Sequence, residues 1–196
     1  MESSHVLESL ARRLRNGAVG VLGTDTVYGL VAAADNADAV ERIFALKGRD
    51  GDKPLIILIG EASDLASFGI VPTPAQQEFL AKAWPGKVSV VFPAPHAQLE
   101  YLHRGRGSIA FRLPDNPDLR ALLKLSGPLA SSSANLQGQK VAETMLEAQA
   151  YFSTRADFYH DAGSLPPTPS TLVDFDGVGG APRVLRQGAA DVSSLL

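Results

Sequence analysis

AVGVLGTDTVYGLVAAA, residues 18–34, places a polar knot between two apolar runs. Ala18 to Leu22 reads as one strand and Val31 to Ala34 as another, because short apolar runs bounded by turn-forming residues mark strands with a buried face. Between them stand Thr24, Asp25, Thr26 and Tyr28, which carry hydroxyl or carboxylate groups where a sheet fills its core. Buried polar groups need partners, so this cluster either caps its own backbone or meets a ligand.

Working outward, helix and strand patterns alternate without a long linker or an internal repeat. NADAVERIFALK, residues 36–47, spaces Val40, Ile43, Phe44 and Leu46 as one face of a helix, with Asn36 or Asp35 as its cap. PLIILIG, 54–60, is a continuous apolar run and reads as a strand covered on both faces. Thr73, Pro74 and Gln76 form a capping box at the start of a helix through 73–84. KVSVVF (87–92), SIAFRL (108–113) and PLAS (128–131) read as strands, with a helix from Asn116 and Pro117 before the last. FYHDAG (158–163), STLVDF (170–175) and RVLRQG (183–188) read as late strands or sheet edges, and the proline-rich GSLPPTPS (163–170) as a loop able to act as a lid. The pattern predicts one α/β domain over 1–196 with a mixed sheet.

Composition narrows the chemistry. The 196 residues are 45% hydrophobic and 20% charged, the balance of a globular protein. No run approaches the roughly 18 apolar residues that a membrane-spanning helix needs. Residues 1–17 interleave Glu2, Glu8 and arginines with Val6, Leu7, Leu10 and Leu14, which reads as an amphipathic helix rather than a signal peptide and points to the cytoplasm. The chain has no cysteine, so thiolate nucleophiles, disulfides and Cys-based zinc sites are excluded. Its four histidines form no HExxH pair, and no protein-bound metal site is expected. A net charge of −3 argues against a general nucleic-acid coat while allowing a local basic patch.

Familiar signatures fail. GAVGVLG (17–23) spaces its glycines as GxxGxxG and opens no helix, so it is no dinucleotide fingerprint. In WPGKVS (84–89), Ala81 stands where a Walker loop needs its first glycine and Val88 where it needs Ser or Thr. No GxSxG elbow occurs.

Three polar constellations remain, each with two readings. Lys47-Gly48-Arg49, followed by Lys53, closes the second helix: the cations either cap its dipole in solvent or meet an anion at the sheet edge. Ser131, Ser132, Ser133 and Asn135 follow a strand end: they either satisfy a turn or orient a substrate with converging donors and acceptors. Arg112 inside a strand pattern either snorkels to water or holds a carboxylate. The run HRGRG, 103–107, reads as a mobile polar loop open to contact with a nucleic-acid backbone.

TDTVYGL, KGR followed by KPL, WPGKVSVVF, FRLPDNP, SSSAN, PSTLVDF and VLRQG occur in that order. Their series resembles the YrdC/TsaC family of L-threonylcarbamoyladenylate synthases over about residues 10–188. The resemblance implies a twisted mixed sheet, parallel and antiparallel, flanked by helices, with a concave, positively charged cavity. It implies a reaction that joins L-threonine, bicarbonate or carbon dioxide, and ATP into threonylcarbamoyl-AMP with release of pyrophosphate. Mg²⁺ would travel with the ATP. The product would pass to partner proteins that modify the adenosine beside the anticodon of certain tRNAs.

By the same resemblance Lys47 and Arg49 match a KxR pair, and Ser133 and Asn135 an SxN pair, regarded as central to activity. Thr26, Arg112, Ser131 and Ser170 would contact threonine, with Tyr28 added by proximity. Arg49, Lys53, Ser108, Ser133 and Arg186 would contact ATP. Two positions depart from the family pattern: Gly23 stands where proline is usual, and Lys87 follows Pro85-Gly86 where a second proline is usual. Two rivals differ in class: a paralogue that binds RNA or a nucleotide without making the adenylate, and a carbamoyl-transferring relative.

Overall fold

A computed structural model describes residues 4–48, 55–176 and 180–196. Helix α1 (Ser4–Arg15) precedes the hairpin of β1 (Gly20–Gly23) and β2 (Tyr28–Ala33). Helix α2 (Ala37–Lys47) leads toward β3 (Ile56–Leu58), α3 (Pro74–Ala83) to β4 (Val88–Pro93), and the short α4 (Glu100–His103) to β5 (Ser108–Arg112). Helix α5 (Pro117–Ser126) precedes β6 (Leu129–Ser133), and α6 (Met145–Phe152) precedes β7 (Phe158–His160). Strands β8 (Thr171–Phe175) and β9 (Pro182–Arg186) form an antiparallel edge.

The helix starts follow local chemistry. Asn36 Oδ1 accepts from Ala39 N (3.0 Å) at the head of α2, and Gly48 ends that helix in the left-handed region at φ 61°, which costs glycine nothing. In α3 the Thr73 hydroxyl accepts from Gln76 N (3.3 Å) while Gln76 Oε1 accepts from Thr73 N (2.9 Å). Asn116 caps α5, with Pro117 in its first turn. Helix α6 escaped the sequence reading, although Thr144 and Glu147 form the same reciprocal box at its start. Strand β2 also begins at Tyr28 rather than Val31, so the segment after the polar knot belongs to the sheet.

The sheet is mixed, in the order β7-β1-β2-β6-β3-β5-β4-β8-β9. Pairs β1–β7, β3–β5 and β4–β8 are parallel; the others are antiparallel. Side chains alternate between its faces with the period of two that the pleat imposes. On one face Tyr28, Leu30, Ile57, Val90, Phe111 and Val173 join the main core, which also takes in Val40, Ile43 and Phe44 of α2 and Phe79 and Leu80 of α3. On the other, α1 and α5 pack over Leu22, Val31, Leu58 and Leu129. These two helices cover only the β1–β2–β6–β3 end of that face. Toward β5, β4 and β8 it lies open, and that opening holds the site.

Candidate active site

A cavity of about 460 Å³ lies over the open face, with residues from β2, β6, β3, β5, β4, β8 and β9 in its lining. Alternation selects most of them: Ser131 and Ser133 from β6, Ser108, Ala110 and Arg112 from β5, and Leu172 and Asp174 from β8 line it, while Ala130, Ile109, Phe111 and Val173 beside them belong to the core; Ser132 also reaches the lining. Register then sets the layout. Gly29 pairs with Ser133, Ile56 pairs with Ser131 on one side and Ala110 on the other, and Leu58 pairs with Arg112. Ser89 pairs with Leu172 and Leu172 with Arg186, bringing Arg186 toward the Arg112 end of the cavity. Ser108 lies at the opposite end of β5, about 13 Å along the strand.

Arg112 is deeply buried. Its NH1 donates to Thr26 Oγ1 (2.7 Å), and its NH2 stands 3.3 Å from Asp25 Oδ1. Its Nε is buried with no hydrogen-bond partner, and a buried donor without an acceptor is costly to leave so. Burial pushes the pKa of the guanidinium down; the charge of Asp25 opposes this and that of Arg186 adds to it. Burial likewise lowers the pKa of Arg186, whose NH2 donates to Ser170 O (2.8 Å). The Ser170 hydroxyl in turn meets that of Ser89 at 2.8 Å. The arrangement is one that seeks an anion.

Thr24 Oγ1 donates its single hydrogen to Val27 O (2.7 Å), accepts from the backbone N–H groups of Thr26 and Val27 (3.1 Å each), and lies 3.0 Å from Thr26 Oγ1. Thr26 Oγ1 accepts from Arg112, which leaves it one lone pair. Thr26 can therefore receive a donor from a ligand, such as an ammonium or hydroxyl.

Lys47 is 1% exposed, which overturns its reading as a solvated cap. Its Nζ donates to Ser133 O, to Asn135 O (2.9 Å) and to Asn135 Oδ1 (3.0 Å). Ser133 Oγ donates to the same Asn135 Oδ1 (2.7 Å), and Asn135 Nδ2 donates to Gln139 O (2.7 Å). The lysine leaving α2 thus fixes the turn that follows β6, with Ser133 on the cavity wall.

Of the residues singled out from sequence, Thr26, Ser108, Arg112, Ser131, Ser133, Ser170 and Arg186 share the cavity, with Lys47 and Asn135 directly behind Ser133. Arg49 and Lys53 lie outside the described residues. Tyr28 is the exception and is corrected: alternation turns it to the opposite face, where its hydroxyl engages Asp161 Oδ1 (2.9 Å), Gly163 O (2.6 Å) and Ala162 N (2.9 Å). The neighbouring Gly29 faces the cavity instead; a Cβ there would meet Ser131 Oγ at 2.8 Å.

Sequence reasoning named Asp25 only as part of the polar knot and Arg106 only as part of the 103–107 loop, and gave no role to Asp174. Period-two alternation along STLVDF would have flagged Asp174 beside Leu172. Arg106 lies in the polar run 103–107, which is more ordered than its composition suggests: His103 closes α4, and Arg104 pairs with both carboxylate oxygens of Glu41 while lying 4.2 Å from the Phe44 ring. Among the described residues no group of three or more His, Asp or Glu side chains could hold a metal ion, and no helix is long and apolar enough to cross a membrane.

A mixed sheet with helices on both faces, and a cavity over the part of one face that α1 and α5 leave uncovered, defines an α/β domain with a pocket for a small ligand. Residues 12–188 match the Sua5/YciO/YrdC family, which carries the description "Telomere recombination", and the chain belongs to that family. It is 33% identical over 189 residues to the putative threonylcarbamoyl-AMP synthase of Mycobacterium tuberculosis, covering 95% of this chain and 86% of the relative. It is 37% identical over 149 residues to the threonylcarbamoyl-AMP synthase of Halorhodospira halophila, covering 75% and 78%. Among solved structures, Sua5 of P. abyssi complexed with L-threonine superimposes with a TM-score of 0.87 at 31% identity, covering 96% of this chain; the chain spans 55% of the length of that Sua5.

Proposed function

We propose that this protein is a threonylcarbamoyl-AMP synthase, a nucleotidyltransferase that converts L-threonine, carbon dioxide or bicarbonate, and ATP into threonylcarbamoyl-AMP and pyrophosphate. The observation that carries this reading is the convergence of Thr26, Arg112, Ser131 and Ser133 on one cavity, with Lys47 bound to the Ser133–Asn135 turn behind it. Relatives that carry the name threonylcarbamoyl-AMP synthase match 95% and 75% of this chain.

In this reading the threonine carboxylate takes the Arg112 guanidinium where it lines the cavity, and the lone pair left on Thr26 receives the substrate's amine or hydroxyl hydrogen. Ser131 and Ser170 complete the grip. The amine takes up carbon dioxide to form a carbamate, losing a proton, and a carbamate oxygen attacks the α-phosphorus of ATP in line with departing pyrophosphate. Two anions must meet, so the cavity has to be positive where they do. Arg186 and the charge of Lys47 supply this, with Arg49 and Lys53 as further phosphate ligands. Ser108 and Ser133 hold the nucleotide. Mg²⁺, carried in on the triphosphate, would offset charge on the leaving group. Ser133 and Asn135 orient and do not attack, so no covalent enzyme intermediate forms. The loop at 163–170, whose Pro169 and Ser170 line the cavity, would close over the labile mixed anhydride. The product would be consumed in the cytoplasm by proteins that transfer the threonylcarbamoyl group to tRNA.

The deciding measurement is pyrophosphate release from ATP and bicarbonate with and without L-threonine. Threonine-dependent release is expected. ATP binding with no such release at saturating substrates would favour the non-synthase paralogue.

A further inference from the structure

Asp25 has no part in the roles above, yet it holds a buried charge against the cavity wall. Its side chain is 3% exposed. One oxygen accepts from Asp115 N at 3.2 Å, which ties the turn after β1 to the loop after β5. The other lies 3.3 Å from Arg112 NH2 and makes no hydrogen bond. A carboxylate taken out of water and left without a full hydrogen-bond complement is retained against a cost, and here it abuts the guanidinium that faces the ligand.

The charge layout gives that carboxylate a purpose. Arg112 feels the like charge of Arg186, whose strand brings it toward the same end of the cavity. Two guanidiniums without a counter-charge would trap any polyanion, including the triphosphate and pyrophosphate that the reaction handles. We infer that Asp25 is a positioning and specificity-determining residue: it fixes the Arg112 guanidinium beside Thr26 and cancels one unit of charge there, so that Arg112 accepts a monoanionic carboxylate and leaves polyphosphate to Arg186 and the Ser108 side. This rests on the proposed function for the identity of the carboxylate, but the charge filter itself is a property of the cavity.

The test titrates inorganic pyrophosphate and L-threonine, separately and together, into the wild-type protein and Asp25→Asn. Asparagine keeps an acceptor for Asp115 N and removes the charge, turning its amide nitrogen toward Arg112. In the wild type, saturating pyrophosphate should change the Kd of threonine less than about twofold. In Asp25→Asn, pyrophosphate should bind about tenfold more tightly and displace threonine, and Asp25→Glu should restore the wild-type pattern. A residue that merely braced the turn would weaken both ligands together and leave their independence intact. The inference is overturned if pyrophosphate affinity is unchanged in a cooperatively melting Asp25→Asn, or if the two ligands already compete in the wild type. Asp25→Ser stands in should the asparagine variant fail to fold; failure of both would mark the residue as structural and also overturn it. A wild type that binds no threonine would sink the synthase reading, while the pyrophosphate titrations alone would still decide the charge filter.

Discussion

Replacing Lys47 with methionine keeps most of the buried stem and removes the ammonium, and the structure says what that removal leaves behind. Asn135 N still donates to Ser133 O (3.0 Å), and Ser133 Oγ still donates to Asn135 Oδ1 (2.7 Å), so two of the three acceptors keep a partner. The Asn135 carbonyl loses its ammonium donor. Leaving this part-buried acceptor unpaired costs about 1 to 2 kcal/mol, which for a chain of this size lowers the melting temperature by about 2 to 8 °C. Turnover suffers more. The turn that aims Ser133 loses its anchor and the cavity loses a nearby positive charge, and removal of one preorganised electrostatic group commonly costs about 10²-fold or more. Pyrophosphate release under saturating threonine, ATP and bicarbonate reads the second effect, and a thermal melt followed by circular dichroism reads the first. Lys47→Arg should fall between, since a planar fork cannot replace a compact ammonium that serves three acceptors. A methionine variant that melts within about 2 °C of the wild type and turns over within about threefold of it would refute the reasoning.

Gly29→Ala should raise the KM for threonine about tenfold with little change in melting temperature, because its Cβ would displace Ser131 Oγ, 2.8 Å away, on the cavity side of the sheet. Tyr28→Phe should cost about 1 to 2 kcal/mol and speed proteolysis within 163–170, since the lost hydroxyl holds Asp161, Ala162 and Gly163 at the base of that loop; its threonine affinity should stay close to wild type, and a large loss would return Tyr28 to the substrate site. Asp157 gives a pH signature. Burial raises its pKa, but Arg42, the Val19 N–H and Arg13 outweigh this and hold it below the usual carboxylate value. A depressed folded pKa means that the stability it contributes is present above about pH 4, where the unfolded carboxylate is ionised, and is lost as pH falls through the folded value. The melting-temperature gap between wild type and Asp157→Asn should therefore be present at neutral pH and close in acid; a gap that persists unchanged in acid would contradict this origin.

Much of the fold was legible because local signals agreed with tertiary demands. The caps at Asn36, Thr73 and Asn116 each announce a helix, and the apolar runs after them announce strands. Helix α6 was legible too, through Thr144 and Glu147, but its weak apolar periodicity hid the box. Strand order could not be read: nothing local says that β3 lies between β6 and β5, since such neighbours are chosen by packing across long loops. Within the site, the residues around Lys47 left two readings open because a helix C-terminus usually exposes its cations, whereas here the β6 turn supplies three oxygens to receive one. Tyr28 was misplaced because proximity in sequence was taken for proximity in space. In a strand, the immediate neighbour of a cavity residue points the other way, and Gly29 occupies the position that Tyr28 was given.

That two-sidedness makes ligand binding a proofreader of assembly. A pairing error of one residue on β5 would carry Phe111 into the cavity and drive the Arg112 guanidinium among Phe68 and Phe92, so the substrate cradle and the oily interior are written on the same strands in opposite phase. A mis-zipped chain would have nothing to hold an amino acid with. Small-molecule protection during refolding should thus count correctly paired molecules alone, and threonine or ATP present during folding would draw the population toward them by mass action.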